Sequence, residues 1–172
     1  MNWINIEIKA RSADAAKIIQ QLETLLADYK GEDHQIDTYF NTPTGRLKLR
    51  QGNIENALIH YNRNNQAGPK TSSITYYEPN KSEDLKQTLA AALGVLVVVD
   101  KKRKIFFIEN VKFHVDEVQG LGSFVEIEAI DQTGDIGKER LEEQCQYYMD
   151  FFGIKTTDLV AVSYSDLLLK QS

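Results

Sequence analysis

Strand-like segments of this chain alternate between apolar and charged residues, and the charges are sorted by sign. In "WINIEIKAR", Ile4, Ile6 and Ile8 fall on one side of an extended backbone, and Asn5, Glu7, Lys9 and Arg11 on the other. In "RLKLR", Leu47 and Leu49 oppose Arg46, Lys48 and Arg50. "VKFHVDEV" sets Val111, Phe113 and Val115 against Lys112, His114 and Asp116, and "GSFVEIEAI" sets Val125 and Ile127 against Glu126 and Glu128. Successive side chains of a strand point to opposite faces, so a strict period of two is the mark of a strand with two different environments. An ordinary antiparallel sheet buries its apolar face and wets its polar one. These polar faces are different, because Glu7, Glu126 and Glu128 are acidic while Arg46, Lys48, Arg50, Arg63, Lys101 and Arg103 are basic.

The remaining segments supply helices to cover such a sheet. "SADAAKIIQQLETLLADY" (12–29) carries Ala15, Ile18, Leu22 and Leu25 at helical spacing behind Ser12 as a predicted N-cap. "SEDLKQTLAAALG" reads as a second helix, capped by Ser82, stopped by Gly94 and burying Leu85, Leu89 and Leu93. "KERLEEQCQYYMDFFG" reads as a third, with Leu141, Cys145, Tyr148 and Phe152 on one face, and "YSDLLL" (164–169) as a short closing helix. "TPTG" (42–45) and "QGLG" (119–122) are turns. Further strands are expected at 57–63, at 72–78 and, singly or as a pair, in "VLVVVDKKRKIFFI". With 172 residues and no repeat, low-complexity segment or linker, the reading is one α+β domain over residues 1–172, rich in antiparallel strands.

Composition narrows the function. A net charge of −5 disfavours a general nucleic-acid binder. The only cysteine, Cys145, rules out an intrachain disulfide and a thiolate metal site. The longest apolar run, 90–99, is too short to span a bilayer, and no segment resembles a signal peptide, so a cytoplasmic protein without membrane contact is expected. None of the three histidines shows zinc-site spacing, and neither a dinucleotide glycine fingerprint nor a P-loop occurs.

If the sheet closes into a barrel, one face becomes its interior, the charged faces line a channel, and the apolar faces pack against the helices. A cluster of about six cations repels itself unless a polyanion visits. Arginine matches phosphate with its planar fork, and lysine adds a compact charge. Glu126 and Glu128, about 7 Å apart on one strand face, suit an intervening hard cation, Mg²⁺ or Mn²⁺, which takes oxygen ligands and bridges to substrate phosphates. The implied substrate is a highly charged phosphorylated anion, such as a nucleotide or another triphosphate.

Motif order resembles a known family. "NIEIKAR" is similar to the E-x-E-x-K strand of the CYTH superfamily, the triphosphate tunnel metalloenzymes, which include class IV adenylyl cyclases and thiamine triphosphatases. "DTYFNTPTGRLKLR", "LIHYNR" and "GPKTS" resemble its next segments, and "KKRKIFF", "VKFHVDEVQGLGSFVEIE" and "YSDLLL" those of the bacterial cyclase-like branch. The resemblance covers residues 3 to about 169. It implies a closed antiparallel β-barrel with helices outside, a tunnel that binds triphosphate, and Mg²⁺ or Mn²⁺ as cofactor. By position it implies Glu7, Glu126, Glu128 and Asp116 as metal ligands. Lys9, Arg46, Lys48, Arg50, Arg63, Lys70, Lys101 and Arg103 fall where the family holds phosphate, and Lys9, Asp116 and Tyr39 where it places catalytic groups. The implied reaction is that of an adenylyl cyclase, ATP to cyclic AMP and pyrophosphate. The alternatives are hydrolysis of tripolyphosphate, thiamine triphosphate or a nucleoside triphosphate, and a polyphosphate-binding module without turnover. The implied state is monomer or homodimer. Two departures stand out: the first acid of the opening motif is Asn5, and the acid after Tyr-Phe is Asn41. Asn5 keeps a carbonyl oxygen but supplies neither charge nor a base.

Overall fold

The computed structural model describes residues 2–63 and 65–171. They form strands β1 (Asn2–Arg11), β2 (Asp28–Phe40), β3 (Arg46–Gln51), β4 (Asn56–Arg63), β5 (Lys70–Tyr77), β6 (Val95–Ile108), β7 (Val111–Val118) and β8 (Gly122–Asp131). The helices are α1 (Ala15–Thr24), α2 (Ser82–Leu93), α3 (Lys138–Phe151) and α4 (Tyr164–Gln171), with one 3-10 turn at Thr156–Asp158. The strands close into an antiparallel barrel in the order β1-β5-β4-β3-β2-β6-β7-β8. Closure leaves no unpaired edge, and it turns the period-two patterns into an inside and an outside.

The charged residues take the inside. Glu7, Lys9, Arg50, Lys101, Arg103, Asp116 and Glu126 are all buried, as is Asp37. The apolar core lies outside the barrel wall. Ile6, Ile8, Phe113, Val125 and Ile127 face outward and pack under Ile18 and Leu22 of α1 and Leu141, Cys145 and Met149 of α3. Phe113 meets Tyr148 edge-on, with ring centroids 4.8 Å apart. A second cluster closes one mouth of the barrel: Val99, Val118 and Phe124 at the strand ends meet Tyr164, Leu167 and Leu168 of α4.

Turn chemistry fits the connections. Gly45 ends the 42–45 turn with φ +65°, and a Cβ there would lie 2.6 Å from the Tyr61 carbonyl oxygen, so glycine is required.

Two expectations are corrected and one alternative is decided. The first helix spans 15–24, not 12–29, because Asp14 rather than Ser12 caps it, accepting a hydrogen bond from Lys17 N at 3.0 Å. The chain then turns through Leu26 (φ 57°) into the long strand β2, whose mixed polar sequence hid its period. The helix α2 buries none of its residues; Leu93 is 38% exposed, and Ser82 makes no side-chain cap. The segment 95–108 is one continuous strand. Among the described residues, no helix is long and apolar enough to cross a membrane.

Leu141 is fully buried on the inner face of α3, whereas Leu93 of α2 is exposed. Leu141→Ala is expected to cost about 2–5 kcal/mol of stability and Leu93→Ala less than about 0.5 kcal/mol, read as shifts in urea unfolding midpoints.

Candidate functional site

The interior is a lattice of charges organised by two carboxylates. Asp37, on β2 opposite Arg50 of β3, accepts two hydrogen bonds of 2.9 Å from the Arg50 guanidinium. It accepts a third from Lys101 Nζ at 2.6 Å, and Lys48 Nζ stands 3.5 Å away. Burial pushes the Asp37 carboxyl up, but Arg50, Lys101 and Lys48 together hold it well below the usual carboxylate range. Asp116 of β7 holds Arg103 of β6 in a second fork, both contacts 2.7 Å, and accepts the Tyr164 hydroxyl at 2.7 Å. Both oxygens of Asp116 are thereby occupied.

The acidic residues meet on β1 and β8. Glu7 faces Glu128 across the strand pair, and Lys9 faces Glu126. Glu126 lies 3.3 Å from Arg103, 3.4 Å from His114 Nδ1 and 3.9 Å from Lys9. Burial raises its carboxyl, and Arg103 with Lys9 overcomes that and keeps it ionised. Glu7 pairs with Arg63, and the Asn5 amide donates to Glu128. The Asn5 carbonyl oxygen and His114 Nε2 are buried and without a hydrogen-bond partner among the described residues. One donor atom each of His114, Asp116 and Glu126 lie within 4.8 Å of one another. Asn5, Glu7, Glu126 and Glu128 line one cavity, and their oxygens, the orphaned Asn5 carbonyl among them, fit a hard divalent cation.

Toward the mouth closed by α4 the cations have weaker partners. Lys70 donates to the carbonyls of Ala161 (2.8 Å) and Val160 (3.4 Å). Lys9 donates to the Val162 carbonyl at 3.3 Å and lies 4.1 Å from the Tyr164 ring centroid. Lys48 stands over the rings of Tyr39 and Tyr61, whose hydroxyls are 3.4 Å apart. Arg46 pairs with Asp166 of α4. Burial, then the neighbouring cations Arg63 and Lys9, push the Lys70 ammonium down to about 7; burial also brings Lys101 to about 7, despite Asp37.

Glu7, Lys9, Tyr39, Lys48, Arg50, Arg63, Lys101, Arg103, Glu126 and Glu128 line one cavity of about 90 Å³. Arg46 and Lys70 do not line it: Arg46 pairs with Asp166 of α4, Lys70 reaches the Val160 and Ala161 carbonyls ahead of that helix, and Asp116 stands behind Arg103. Sequence reasoning assigned no role to Asp37, His114 or Tyr164. Asp37 shares strand parity with Tyr39, a signal visible only once β2 is known to be a strand. His114 shares parity with Asp116, and lacked only a reason to expect a buried polar face.

A sequence profile of the CYTH domain matches residues 4–164. A Methanocaldococcus jannaschii protein named a putative adenylate cyclase is 27% identical over 95% of this chain and 98% of its own. The solved structure of the PH1012 protein from Pyrococcus horikoshii superposes with a TM-score of 0.78 at 24% identity, over 95% of this chain and 98% of the other. A Hippeastrum structure, described as a putative adenylyl cyclase that reveals a dominant triphosphatase activity, superposes with a TM-score of 0.65 at 16% identity, over 98% of this chain and 95% of the other.

Two outcomes follow from this geometry. Asp37→Ala strands three cations and is expected to destabilise the protein by about 3–5 kcal/mol, measured by denaturant unfolding. Tripolyphosphate entering the tunnel would favour the charged form of Lys70 and raise its pKa from about 7. The complex then holds a proton that the free protein lacks, so binding takes up protons above neutral pH, takes up few at about pH 6, and weakens as pH rises. Calorimetry in buffers of different ionisation enthalpy reads the uptake, and Lys70→Met is expected to remove its share.

Proposed function

The chain belongs to the CYTH domain family, and from that premise we propose that it is a divalent-metal-dependent enzyme acting on a triphosphate in its basic tunnel, with ATP cyclised to cyclic AMP and pyrophosphate. The observation that carries this reading is the imbalance inside the barrel. Arg50 and Arg103 are locked by Asp37 and Asp116, whereas Lys9, Lys48 and Lys70 rest on carbonyls, aromatic faces and long contacts. A lattice built only for stability would pair every buried charge closely, since an underpaired one is costly. A polyphosphate supplies the missing negative charge.

In this reading Lys9, Lys48, Lys70, Arg46 and Arg63 bind the phosphate oxygens, and Asp116 positions Arg103 to do the same. Arg50 and Lys101 set the field along the channel from fixed positions on Asp37. Tyr39, packed beneath Lys48, keeps that ammonium aimed into the cavity. Glu7, Glu126 and Glu128, with the Asn5 carbonyl, would hold Mg²⁺ or Mn²⁺. Such an ion neutralises developing charge on phosphate and lowers the pKa of an attacking hydroxyl. The rest of catalysis is positioning and exclusion of water, which a closed barrel with one covered mouth provides. The M. jannaschii relative's name supports the cyclase reaction. The Hippeastrum protein supports a second reading, in which water attacks instead and the enzyme is a triphosphatase. Chromatography of the products separates the two: cyclic AMP with pyrophosphate for the first, orthophosphate for the second.

Glu126→Gln is expected to lower metal-dependent turnover at least about 100-fold and, because it takes a charge partner from the buried Arg103 and Lys9, to lower the melting temperature as well. A variant that melts earlier but turns over normally assigns Glu126 to structure alone.

A further inference from the structure

Lys9 and Glu126 stand directly opposite each other on β1 and β8. Opposite charges so placed on a buried sheet face close into a hydrogen-bonded pair when nothing intervenes. Here the ammonium stops 3.9 Å short of the carboxylate, outside hydrogen-bond distance. It donates instead to the Val162 carbonyl at 3.3 Å and lies 4.1 Å from the centroid of the Tyr164 ring. The α4 segment therefore competes for a cation that has a carboxylate within reach.

The Tyr164 hydroxyl acts on a second pair. It donates to Asp116 Oδ2 at 2.7 Å, the oxygen that also accepts from Arg103 Nη2 at 2.7 Å, while Oδ1 accepts from Arg103 Nε. Burial, then the charges of Asp116 and Glu126, hold the phenol well above its usual range, so it remains a donor. Arg103 in turn reaches Glu126 at 3.3 Å. Ring and hydroxyl thus act on different cations, and both cations border Glu126.

The chain makes Tyr164 a fixed point. Val160 N donates to the Lys9 carbonyl at 2.9 Å, and Leu159 bridges Ala10, which lays this segment along β1. Ser163 and Asp166 close a reciprocal cap at the start of α4: Ser163 N donates to Asp166 Oδ2 and Asp166 N to Ser163 Oγ, each at 3.2 Å. The Tyr164 ring is buried and meets Phe124 edge-on, with centroids 4.9 Å apart.

Resting on the tunnel reading above, we propose that Tyr164 is a positioning residue, whose ring holds Lys9 off Glu126 and whose hydroxyl holds Arg103 on Asp116. Without the ring, Lys9 closes on Glu126, and a phosphate-binding cation and a metal-binding carboxylate neutralise each other. Without the hydroxyl, Asp116 loses one of its three donors and its grip on Arg103 loosens beside Glu126. The two halves of one side chain are separable by substitution: Tyr164→Phe keeps the ring and deletes the hydroxyl, and Tyr164→Leu deletes both.

The test uses the full chain and both variants, with tripolyphosphate affinity from calorimetry and Mn²⁺ affinity from water-proton relaxation. Tyr164→Leu is expected to weaken both ligands roughly tenfold. Tyr164→Phe is expected to keep both affinities within about twofold and to lower kcat about tenfold with KM unchanged. In protein carrying ¹³C-labelled lysine, the ring current shifts the Lys9 ε-methylene signal upfield of the other lysines. That shift is expected in the wild type and in Tyr164→Phe, and is lost in Tyr164→Leu. Unchanged affinities and turnover in both variants, with a lower melting temperature alone, assign Tyr164 to packing and overturn the proposal. Equal weakening of tripolyphosphate by Phe and Leu, or no shifted lysine signal in the wild type, overturns the role of the ring. Failure of the wild-type protein to bind tripolyphosphate removes the tunnel reading itself, a result distinct from these.

Discussion

A charge taken out of water needs an opposite charge or a dipole at contact distance, and this barrel interior is built around that requirement. Asp37 collects Arg50, Lys101 and Lys48, and Asp116 collects Arg103 and the Tyr164 hydroxyl. Each of these carboxylates stays ionised because several donors outweigh its burial. The pairs join β2 to β3 and β6, and β7 to β6 and α4, so the charges also fix which strands face one another. Closing the barrel and satisfying its interior are one problem.

What the pairs leave over is the site. Fixed guanidiniums on carboxylates make a field that does not reorganise when an anion enters. Lys9, Lys48 and Lys70 are held by carbonyls and aromatic faces, the partners that the proposed reading has a phosphate replace. Asn5 sits among the oxygen donors with its carbonyl free, one charge short of the family pattern. In the proposed reading the metal donors are Glu7, Glu126 and Glu128, with a neutral oxygen in the fourth place.

Much of this was legible from the chain because a strand's period is two and no packing is needed to see it. Glu126 beside Glu128, Arg46 beside Lys48 and Arg50, and Lys101 beside Arg103 share faces by arithmetic alone, and the structure brings them to one interior. Asp37 was not legible, since β2 mixes polar residues on both faces and its strand character comes from pairing with β3 and β6. The exposed face of α2 was not legible either: leucines at helical spacing show which face is apolar, not that anything covers it. A second cavity, walled by Trp3, Tyr76 and Phe107, was not legible either, because only the barrel's closure brings β1, β5 and β6 around one opening.

The most direct test of the central claim is a crystal structure of the protein grown with tripolyphosphate and Mn²⁺, with anomalous data to locate the metal. A phosphate chain is expected inside the barrel within hydrogen-bond reach of Lys9, Lys48 and Lys70, with manganese bound by Glu126 together with Glu7 or Glu128. An interior with its ion pairs unchanged and the anion found only on the outer surface would contradict it.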